Sequence, residues 1–169
     1  MTQTPAAVLV PVFRDEEGEL RIVLVLRGAG GVHGGQVGLP GGKWEPEDES
    51  FLATALREAD EEIGLERPDV EIVAKLDPID SRTTGFRVHP FLAVVRPRGE
   101  WRLAAGEIEG VVTPLVRALA DPAARRREAL VGDRLFDCVP LEDGRLLWGL
   151  TLRLLTPLLP RLLDGEFGV

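Results

Sequence analysis

The sequence predicts a mixed α/β or α+β fold, and two observations support this prediction. Short apolar segments rich in Val and Leu precede and follow a central segment with helical periodicity. A second helical pattern closes the chain. Strands on both sides of one helix, with another helix at the end, fit a sheet layered against helices. The 169 residues can bury a substantial core, and we expect residues 1–169 to form a single domain.

The first half of the chain is predicted to contain two strands, a loop and the central helix. These elements are strands at Ala6–Arg14 and Leu20–Arg27, a loop at 28–42, and a helix from about Ser50 to Ile63. The loop is predicted from its eight glycines and its closing Leu-Pro-Gly-Gly turn. Asp48 or Ser50 can cap the start of the helix, and Gly64 can end it. Leu52, Ala55, Leu56, Ala59 and Ile63 form its apolar stripe.

The second half is predicted to contain further strands, two short helical pieces and a final helix. The strands are Val70–Leu76, Phe86–Val95, Leu135–Val139 and Leu146–Trp148, and the helical segments are Pro114–Ala120, Pro122–Leu130 and Gly149–Leu163. Pro90 implies that its strand lies at a sheet edge or contains a bulge. Pro157 and Pro160 should break or kink the final helix.

Charge is distributed unevenly along the chain. The formal net charge is −8, and the segment from Glu45 to Glu66 holds nine acidic residues and one basic residue, Arg57. Such a density indicates either a solvated helix face or a cation site. It argues against a nucleic-acid partner, whose backbone it would repel. No apolar run is long enough for a membrane span, and the single cysteine, Cys138, fits a cytoplasmic location.

The central helix carries three glutamates on one face. Glu58, Glu61 and Glu62 stand at i, i+3 and i+4, which puts their side-chain bases about 5–6 Å apart. Such like charges repel each other, and a hard cation such as Mg²⁺ would remove the repulsion. An ordinary solvated face is the alternative. The neighbouring Gly-Gly turn and Arg57 favour the cation site, because a turn can offer a carbonyl and an arginine can orient a carboxylate. Diphosphate substrates need such a site.

Residues 41–65 resemble the Nudix box, Gly-x5-Glu-x7-Arg-Glu-U-x-Glu-Glu-x-Gly-U, where U is bulky and apolar. Its second half matches Arg57-Glu58-Ala59-Asp60-Glu61-Glu62-Ile63-Gly64-Leu65, apart from the small Ala59. One extra residue after Gly42 puts Asp48 at the count for the first acid, whereas counting back from Arg57 reaches Glu49. The resemblance implies the Nudix fold, a mixed β-sheet sandwiched between helices, and diphosphate hydrolysis dependent on Mg²⁺ or Mn²⁺.

Four stretches resemble the coenzyme A diphosphatase subgroup of that family. They are Gly41-Gly42-Lys43-Trp44-Glu45-Pro46-Glu47-Asp48, the preceding His33-Gly34-Gly35-Gln36, Ser81–Pro90, and Trp148-Gly149-Leu150-Thr151. Leu39 replaces the subgroup's usual aromatic residue. The implied reaction converts coenzyme A to 4′-phosphopantetheine and adenosine 3′,5′-bisphosphate. The alternatives are a Nudix diphosphatase for ADP-ribose, NADH or a nucleoside triphosphate, and a non-catalytic Nudix module that binds a nucleotide.

The resemblance also assigns roles to individual residues. The expected metal ligands are Glu58, Glu61, Glu62 and Gly42; the expected catalytic residues are Glu58, Glu61 and Arg57; the expected substrate-binding residues are His33, Gln36, Gly41, Gly42 and Lys43. The base that activates water is a helix glutamate, or else Glu107 or Glu109 from the segment 106–110, for which an exposed loop acid is the alternative. The expected partner is a small-molecule diphosphate, and a homodimer is one possible assembly.

Overall fold

The structure is a computed structural model that describes residues 2–30 and 34–169. Within these ranges the strands are β1 (Thr4–Arg14), β2 (Leu20–Ile22), β3 (Leu24–Arg27), β4 (Val37–Gly38), β5 (Gly41–Lys43), β6 (Val70–Lys75), β7 (Ile79–Asp80), β8 (Phe86–Val95), β9 (Ile108–Val112), β10 (Arg126–Val131), β11 (Arg134–Pro140) and β12 (Leu146–Trp148). The helices are α1 (Phe51–Ile63), α2 (Val116–Ala120) and α3 (Gly149–Leu163).

The main sheet has six strands and mixed direction. Its central path is β2-β1-β8-β6, with β5 also pairing β1 and β7 also pairing β8. β1 and β8 run parallel in register from Thr4↔Phe86 to Val12↔Val94, and the other pairs are antiparallel. Two three-stranded sheets, β4-β3-β9 and β10-β11-β12, accompany it in the described part of the chain.

Helices cover both faces of this sheet. Alternate residues of the central strands point to opposite sides. Leu9 and Phe91 pack in the cluster that contains Ala55, Ala59 and Ile63 of α1. Their neighbours on the opposite face, such as Val10 and Leu92, pack in the cluster formed with the leucines of α3. The expectation of a mixed sheet between helices is confirmed.

Helix α1 begins and ends with capping groups. The Ser50 hydroxyl accepts a hydrogen bond from the Ala53 amide, at 3.1 Å, so Ser50 is the N-cap. Gly64 ends the helix at φ 70°, a left-handed conformation that glycine adopts without strain. Ala55, Ala59 and Ile63 are buried, whereas Leu52 and Leu56 are half-buried. The apolar stripe therefore packs on the sheet and leaves the glutamates on another face.

Three segment predictions were wrong. The predicted strand Leu20–Arg27 is interrupted at Val23, and its halves β2 and β3 pair in different sheets. The predicted loop 28–42 contains β4 and the first two residues of β5, which form backbone ladders with β3 and β1. Residues 126–131 are a strand rather than helical, because they pair with β11 in a hairpin. Strand pairing depends on the partner strand, which the spacing of apolar residues within one segment does not reveal. The local pattern of these three segments therefore did not predict the pairings.

The prolines behave differently from expectation. Pro90 lies in β8, between β1 and β6, so the predicted edge is wrong; the bulge lies in the partner strand, between Ile72 and Ala74. The Pro90 carbonyl accepts a hydrogen bond from the amide of Leu76, which directly follows β6. Proline has no N–H to donate, and at Pro90 this missing donor faces the gap between β6 and β7, where no strand among the described residues needs it. Helix α3 runs through both its exposed prolines while its leucines pack in the core, so the predicted break is wrong; the predicted kink stays a prediction.

None of the helices in the described part of the chain combines the length and the apolar character that a membrane span requires.

Candidate functional site

Three carboxylates from two distant segments converge beside α1. Oxygens of Glu58, Glu62 and Glu107 all lie within 4.8 Å of one another. Glu58 and Glu62 are one turn apart on α1, and Glu107 directly precedes β9. Three anionic groups at this separation repel one another unless a cation or protons intervene. The cluster is therefore the part of the described molecule that is best suited to a divalent ion.

Glu62 is the buried member of the cluster. Only 1% of the residue is exposed, and its Oε1 accepts from Arg27 Nη1 at 3.3 Å and from the Gly41 amide at 3.4 Å. Its Oε2 has no hydrogen-bond partner among the residues that the structure describes. Burial raises the pKa of the carboxyl to about 7; Arg27 acts against the rise and Glu58 adds to it. A buried carboxylate oxygen without a donor is a strong candidate metal ligand.

The glycine turn allows the glutamates to approach the backbone. A Cβ on Gly42 would collide with Oε1 of Glu58 and lie 2.6 Å from its Cδ. A Cβ on Gly41 would collide with the Ala7 carbonyl and lie 2.6 Å from Val8 Cγ1. Gly41 therefore requires glycine because of close backbone contact rather than positive φ, whereas a side chain on Gly42 would displace the Glu58 carboxylate. The expected part of the Gly42 carbonyl as a metal ligand stays a prediction.

Arg57 connects the helix acids to the turn. Its Nε and Nη2 donate to the two oxygens of Asp48, at 2.9 and 3.0 Å, in a bidentate pair. Its Nη1 donates to Glu58 and Glu61, both at 3.2 Å, and Nη2 also donates to the Lys43 carbonyl. The Arg57 guanidinium holds the pKa of Asp48 well below its usual range. Asp48 thus fixes Arg57, which in turn orients Glu58.

Asp48 is itself held by its neighbours. The Thr54 hydroxyl donates to Asp48 Oδ2 at 2.9 Å, and the Glu45 amide donates to the same oxygen at 3.0 Å. Glu49, the other residue that a count along the box reaches, is exposed. The extra residue between the turn and the helix therefore places an aspartate, rather than a glutamate, against Arg57.

Glu58 is half-buried and differs from Glu61. Burial raises the pKa of the Glu58 carboxyl; Arg57 opposes the rise, and Glu61 and Glu107 add to it. The Glu61 side chain is 60% exposed, and it lies outside the three-carboxylate cluster while bonding to Arg57. Glu58 and Glu62 thus point into the carboxylate cluster, whereas Glu61 points towards solvent. The catalytic and metal-binding roles expected of Glu61 stay predictions.

The two candidate acids of the segment 106–110 have different surroundings. Glu107 joins the cluster, and its carbonyl accepts from the Gly28 amide at 2.8 Å. Glu109 lies within β9, not in a loop, and is exposed. The structure thus separates two residues that the sequence could not distinguish.

Of the expected substrate-binding residues that carry side chains, the structure describes Gln36 and Lys43, and each makes a different contact. Gln36 accepts a backbone hydrogen bond from Arg27 at 3.0 Å, which fixes the loop ahead of β4. Lys43 is exposed, with its Nζ 5.6 Å from the centre of the Phe86 ring. His33 lies outside the described residues. Their part in substrate binding stays a prediction.

An open groove of about 650 Å³ lies at the N-terminal end of α1. Trp44, Phe51 and Phe91 line it together with Lys75. Trp44 is 38% exposed and donates its indole N–H to the Asp48 carbonyl at 3.1 Å. Nearby, His89 stacks on Phe51 with ring centres 3.9 Å apart.

Sequence reasoning missed one residue of the site. Arg27 ends β3 and donates to Glu62 and to the carbonyls of Leu39 and Gly41. No spacing rule connects residue 27 to residue 62, and a strand-terminal arginine is ordinarily solvated. A hint was available in its position immediately before the glycine-rich segment.

The residues present fit a divalent metal ion. Glu62 offers a buried oxygen without a donor, and Glu58 and Glu107 offer two more hard oxygen ligands. Gly42 leaves space in which Glu58 approaches the turn. Three acids and nearby backbone carbonyls make a donor set typical of Mg²⁺ or Mn²⁺ rather than of zinc.

Comparisons with known proteins give the family. The family model described as NUDIX domain matches residues 3–131. The chain is 36% identical over 159 residues to "Nudix hydrolase 15, mitochondrial" of Arabidopsis thaliana, covering 89% of this chain and 55% of the relative. It is 39% identical over 123 residues to a protein described as the uncharacterized Nudix hydrolase NudL of Salmonella newport, covering 70% of this chain and 62% of that relative. The chain thus spans less than two thirds of the length of either relative.

A solved structure supports the same fold. A Nudix hydrolase from Nitrosomonas europaea aligns with a TM-score of 0.63 at 16% identity, covering 98% of this chain and 74% of that one. At this identity the likeness speaks for the fold alone. The NUDIX domain model matches residues 3–131, more than half of the chain, and this match shows that the chain belongs to the Nudix family.

Proposed function

We propose that this chain hydrolyses the diphosphate bond of coenzyme A, giving 4′-phosphopantetheine and adenosine 3′,5′-bisphosphate. The observation that carries the hydrolytic part is the convergence of Glu58, Glu62 and Glu107 beside the Gly41-Gly42 turn. Diphosphate substrates are anionic, so an acidic site binds them only with cations. The proposed cofactor is therefore Mg²⁺ or Mn²⁺.

The proposed division of labour follows from the contacts. Glu58, Glu62 and Glu107 hold the cation, which when bound neutralises phosphate charge and polarises the phosphorus–oxygen bonds. Arg57 keeps Glu58 in place through its bidentate pair with Asp48. Glu61 lies within reach of the same arginine and remains a candidate proton acceptor for the attacking water. Glu107 is the better candidate of the two acids in its segment, since Glu109 lies outside the cluster.

Contacts between distant stretches support the choice of coenzyme A. Lys43, in the stretch that follows the glycine turn, lies against Phe86 of the Thr-Gly-Phe stretch. A Cβ on Gly38 would lie 3.8 Å from the Thr151 hydroxyl, which belongs to the Trp-Gly-x-Thr stretch. Two of the stretches that resemble the coenzyme A subgroup are thus adjacent, and a third lies beside β4, which precedes the glycine turn. These two proximities support a shared substrate for the stretches involved.

The proposal is tested by comparing substrates. We expect kcat/KM for coenzyme A to exceed the values for ADP-ribose, NADH and dGTP, with mass spectrometry identifying the two expected products. Equal or faster cleavage of ADP-ribose would favour the alternative Nudix diphosphatase. Nucleotide binding without turnover of any of these compounds would favour the non-catalytic module. A cytoplasmic location and a homodimer stay predictions that this assay does not address.

A further inference from the structure

Arg27 bridges two parts of the candidate metal site that are far apart in sequence. Its Nη1 donates to Glu62 Oε1 at 3.3 Å, and its Nη2 donates to the carbonyls of Leu39 and Gly41, at 3.2 and 3.3 Å. Its side chain is 22% exposed, while that of Glu62 is 1% exposed. One guanidinium group therefore spans from α1 to the turn that precedes β5.

The backbone of Arg27 is fixed as firmly as its side chain. Its amide donates to the Gln36 carbonyl at 3.0 Å, and its carbonyl accepts from the Gly35 amide at 3.1 Å. Arg27 also pairs with Ile108, the residue after Glu107. The end of β3 is consequently the place where the helix acid, the glycine turn and the Glu107 segment meet.

We infer that Arg27 is a positioning residue for the metal site. It holds Oε1 of Glu62 and the Leu39–Gly41 carbonyls in fixed relation, and it leaves Oε2 of Glu62 available to a cation. Hydrogen bonds from a second layer of residues orient metal ligands in this way and commonly change metal affinity by about 10–100-fold. The inference rests on the proposed function, because it requires a cation at the carboxylate cluster.

The bridge needs an arginine rather than any positive charge. A guanidinium is planar and presents several N–H donors in a fixed fork, so it can donate to a carboxylate and to two carbonyls at once. A lysine ammonium supplies the charge as a single flexible point. Arg27→Lys therefore retains the charge next to Glu62 and removes the span between helix and turn.

The experiment measures Mn²⁺ affinity by electron paramagnetic resonance of the free ion, in the absence of substrate. We expect Arg27→Lys to raise the Kd for Mn²⁺ by at least about tenfold. Arg21→Lys is the matched control, because Arg21 also bridges a carboxylate and a carbonyl, donating to Asp15 at 2.5 Å and to the Thr113 carbonyl at 2.9 Å. Arg21 belongs to β2 and contacts no acid of the cluster, so its variant should bind Mn²⁺ as the wild type does.

The outcomes separate the inference from the function on which it rests. If the wild type and Glu62→Gln bind Mn²⁺ equally, the proposed metal site is wrong. If the wild type binds through Glu62 but Arg27→Lys retains its affinity within about threefold, the positioning role is wrong. An equal loss of affinity in Arg21→Lys would also overturn it, because the effect would then be general. If Arg27 had a purely structural role, Arg27→Lys would lower the melting temperature. It would not change the Kd for Mn²⁺ when that Kd is measured at a temperature well below the melting temperature.

A measurement on the unaltered side chain covers the case in which Arg27→Lys does not fold. Nuclear magnetic resonance of ¹⁵N-labelled guanidinium groups reports rotation about the Cζ–Nε bond. We expect Arg27 to rotate slowly in the metal-free wild type and faster in Glu62→Gln, where one of its partners loses its charge. Fast rotation in the wild type, or no change in the variant, would overturn the inference.

Discussion

Removing the charge of Glu62 should stabilise the metal-free protein at neutral and alkaline pH. Burial raises the pKa of this carboxyl from 4.5 to about 7. Below about pH 4.5 the group is protonated in both folded and unfolded chains, so it carries no electrostatic penalty. As pH rises towards 7, the unfolded chain releases the proton first, and the folded state loses stability. Glu62→Gln keeps the shape of the side chain and cannot ionise.

The magnitude follows from the size of the shift. One pKa unit corresponds to about 1.4 kcal/mol, so a shift of this size corresponds to roughly 3 kcal/mol at most above pH 7. The glutamine should match the wild type near pH 4 and exceed it increasingly up to about pH 7, after which the difference should level off. Glu58 and other groups titrate in both proteins, so the difference between the two curves reports the ionisation of Glu62 together with its coupling to Glu58.

The assay is chemical unfolding of both proteins in EDTA across this pH range. With saturating Mg²⁺ the order should reverse, because ligand binding stabilises only the protein that retains the site. A stability difference that does not change with pH would refute the reasoning. So would a glutamine variant that is less stable than the wild type at about pH 8, since the buried charge would then contribute net stability.

Two further substitutions test how the site is built. Glu58→Gln should lower kcat for coenzyme A by about 100-fold or more with a smaller change in KM, and its metal-free melting temperature should equal or slightly exceed that of the wild type, because burial raises the pKa of the Glu58 carboxyl. Ile63→Ala should retain the chemistry but lose about 2–5 kcal/mol of stability, because Ile63 is only 1% exposed. A glutamine variant that unfolds, or that keeps kcat within about threefold, would contradict this expectation. Gly42→Ala should lower kcat at least about tenfold, since its methyl group would displace the Glu58 carboxylate. Gly30→Ala is the control and should behave as the wild type, because its methyl group would meet no atom of residues 2–30 and 34–169 within 4 Å. Equal activity of the two alanine variants in the coenzyme A assay would show that the close approach at Gly42 is unimportant.

Local patterns in the sequence were sufficient for the parts of the fold that depend on neighbouring residues. The central helix ends at Ile63 as predicted, because its apolar spacing, its serine cap and Gly64 all act within a few residues. The strands β1 and β8 also follow from their apolar composition. The split of Leu20–Arg27 into two sheets did not follow, since β2 pairs with the neighbouring β1 whereas β3 pairs with β9, about 80–90 positions further along the chain.

The residues of the candidate site also fall into those that local sequence pattern predicts and those that depend on tertiary packing. Helical spacing brought Glu58 and Glu62 together, and the Gly-Gly turn could be recognised beside them. That Glu107 rather than Glu109 joins the cluster depends on where β9 begins, since Glu107 precedes the strand and Glu109 lies within it. Arg27 was missed because its contacts with Glu62 and the turn exist only after β3 and α1 have packed.

The most direct test of a metal-dependent diphosphatase is turnover of coenzyme A in Mg²⁺, then in excess EDTA, then after Mg²⁺ is restored. We predict that 4′-phosphopantetheine and adenosine 3′,5′-bisphosphate form only in the first and third conditions. Glu58, Glu62 and Glu107 lie within 4.8 Å of one another, and without a cation they would repel the substrate's phosphates. Full turnover in EDTA would contradict the account.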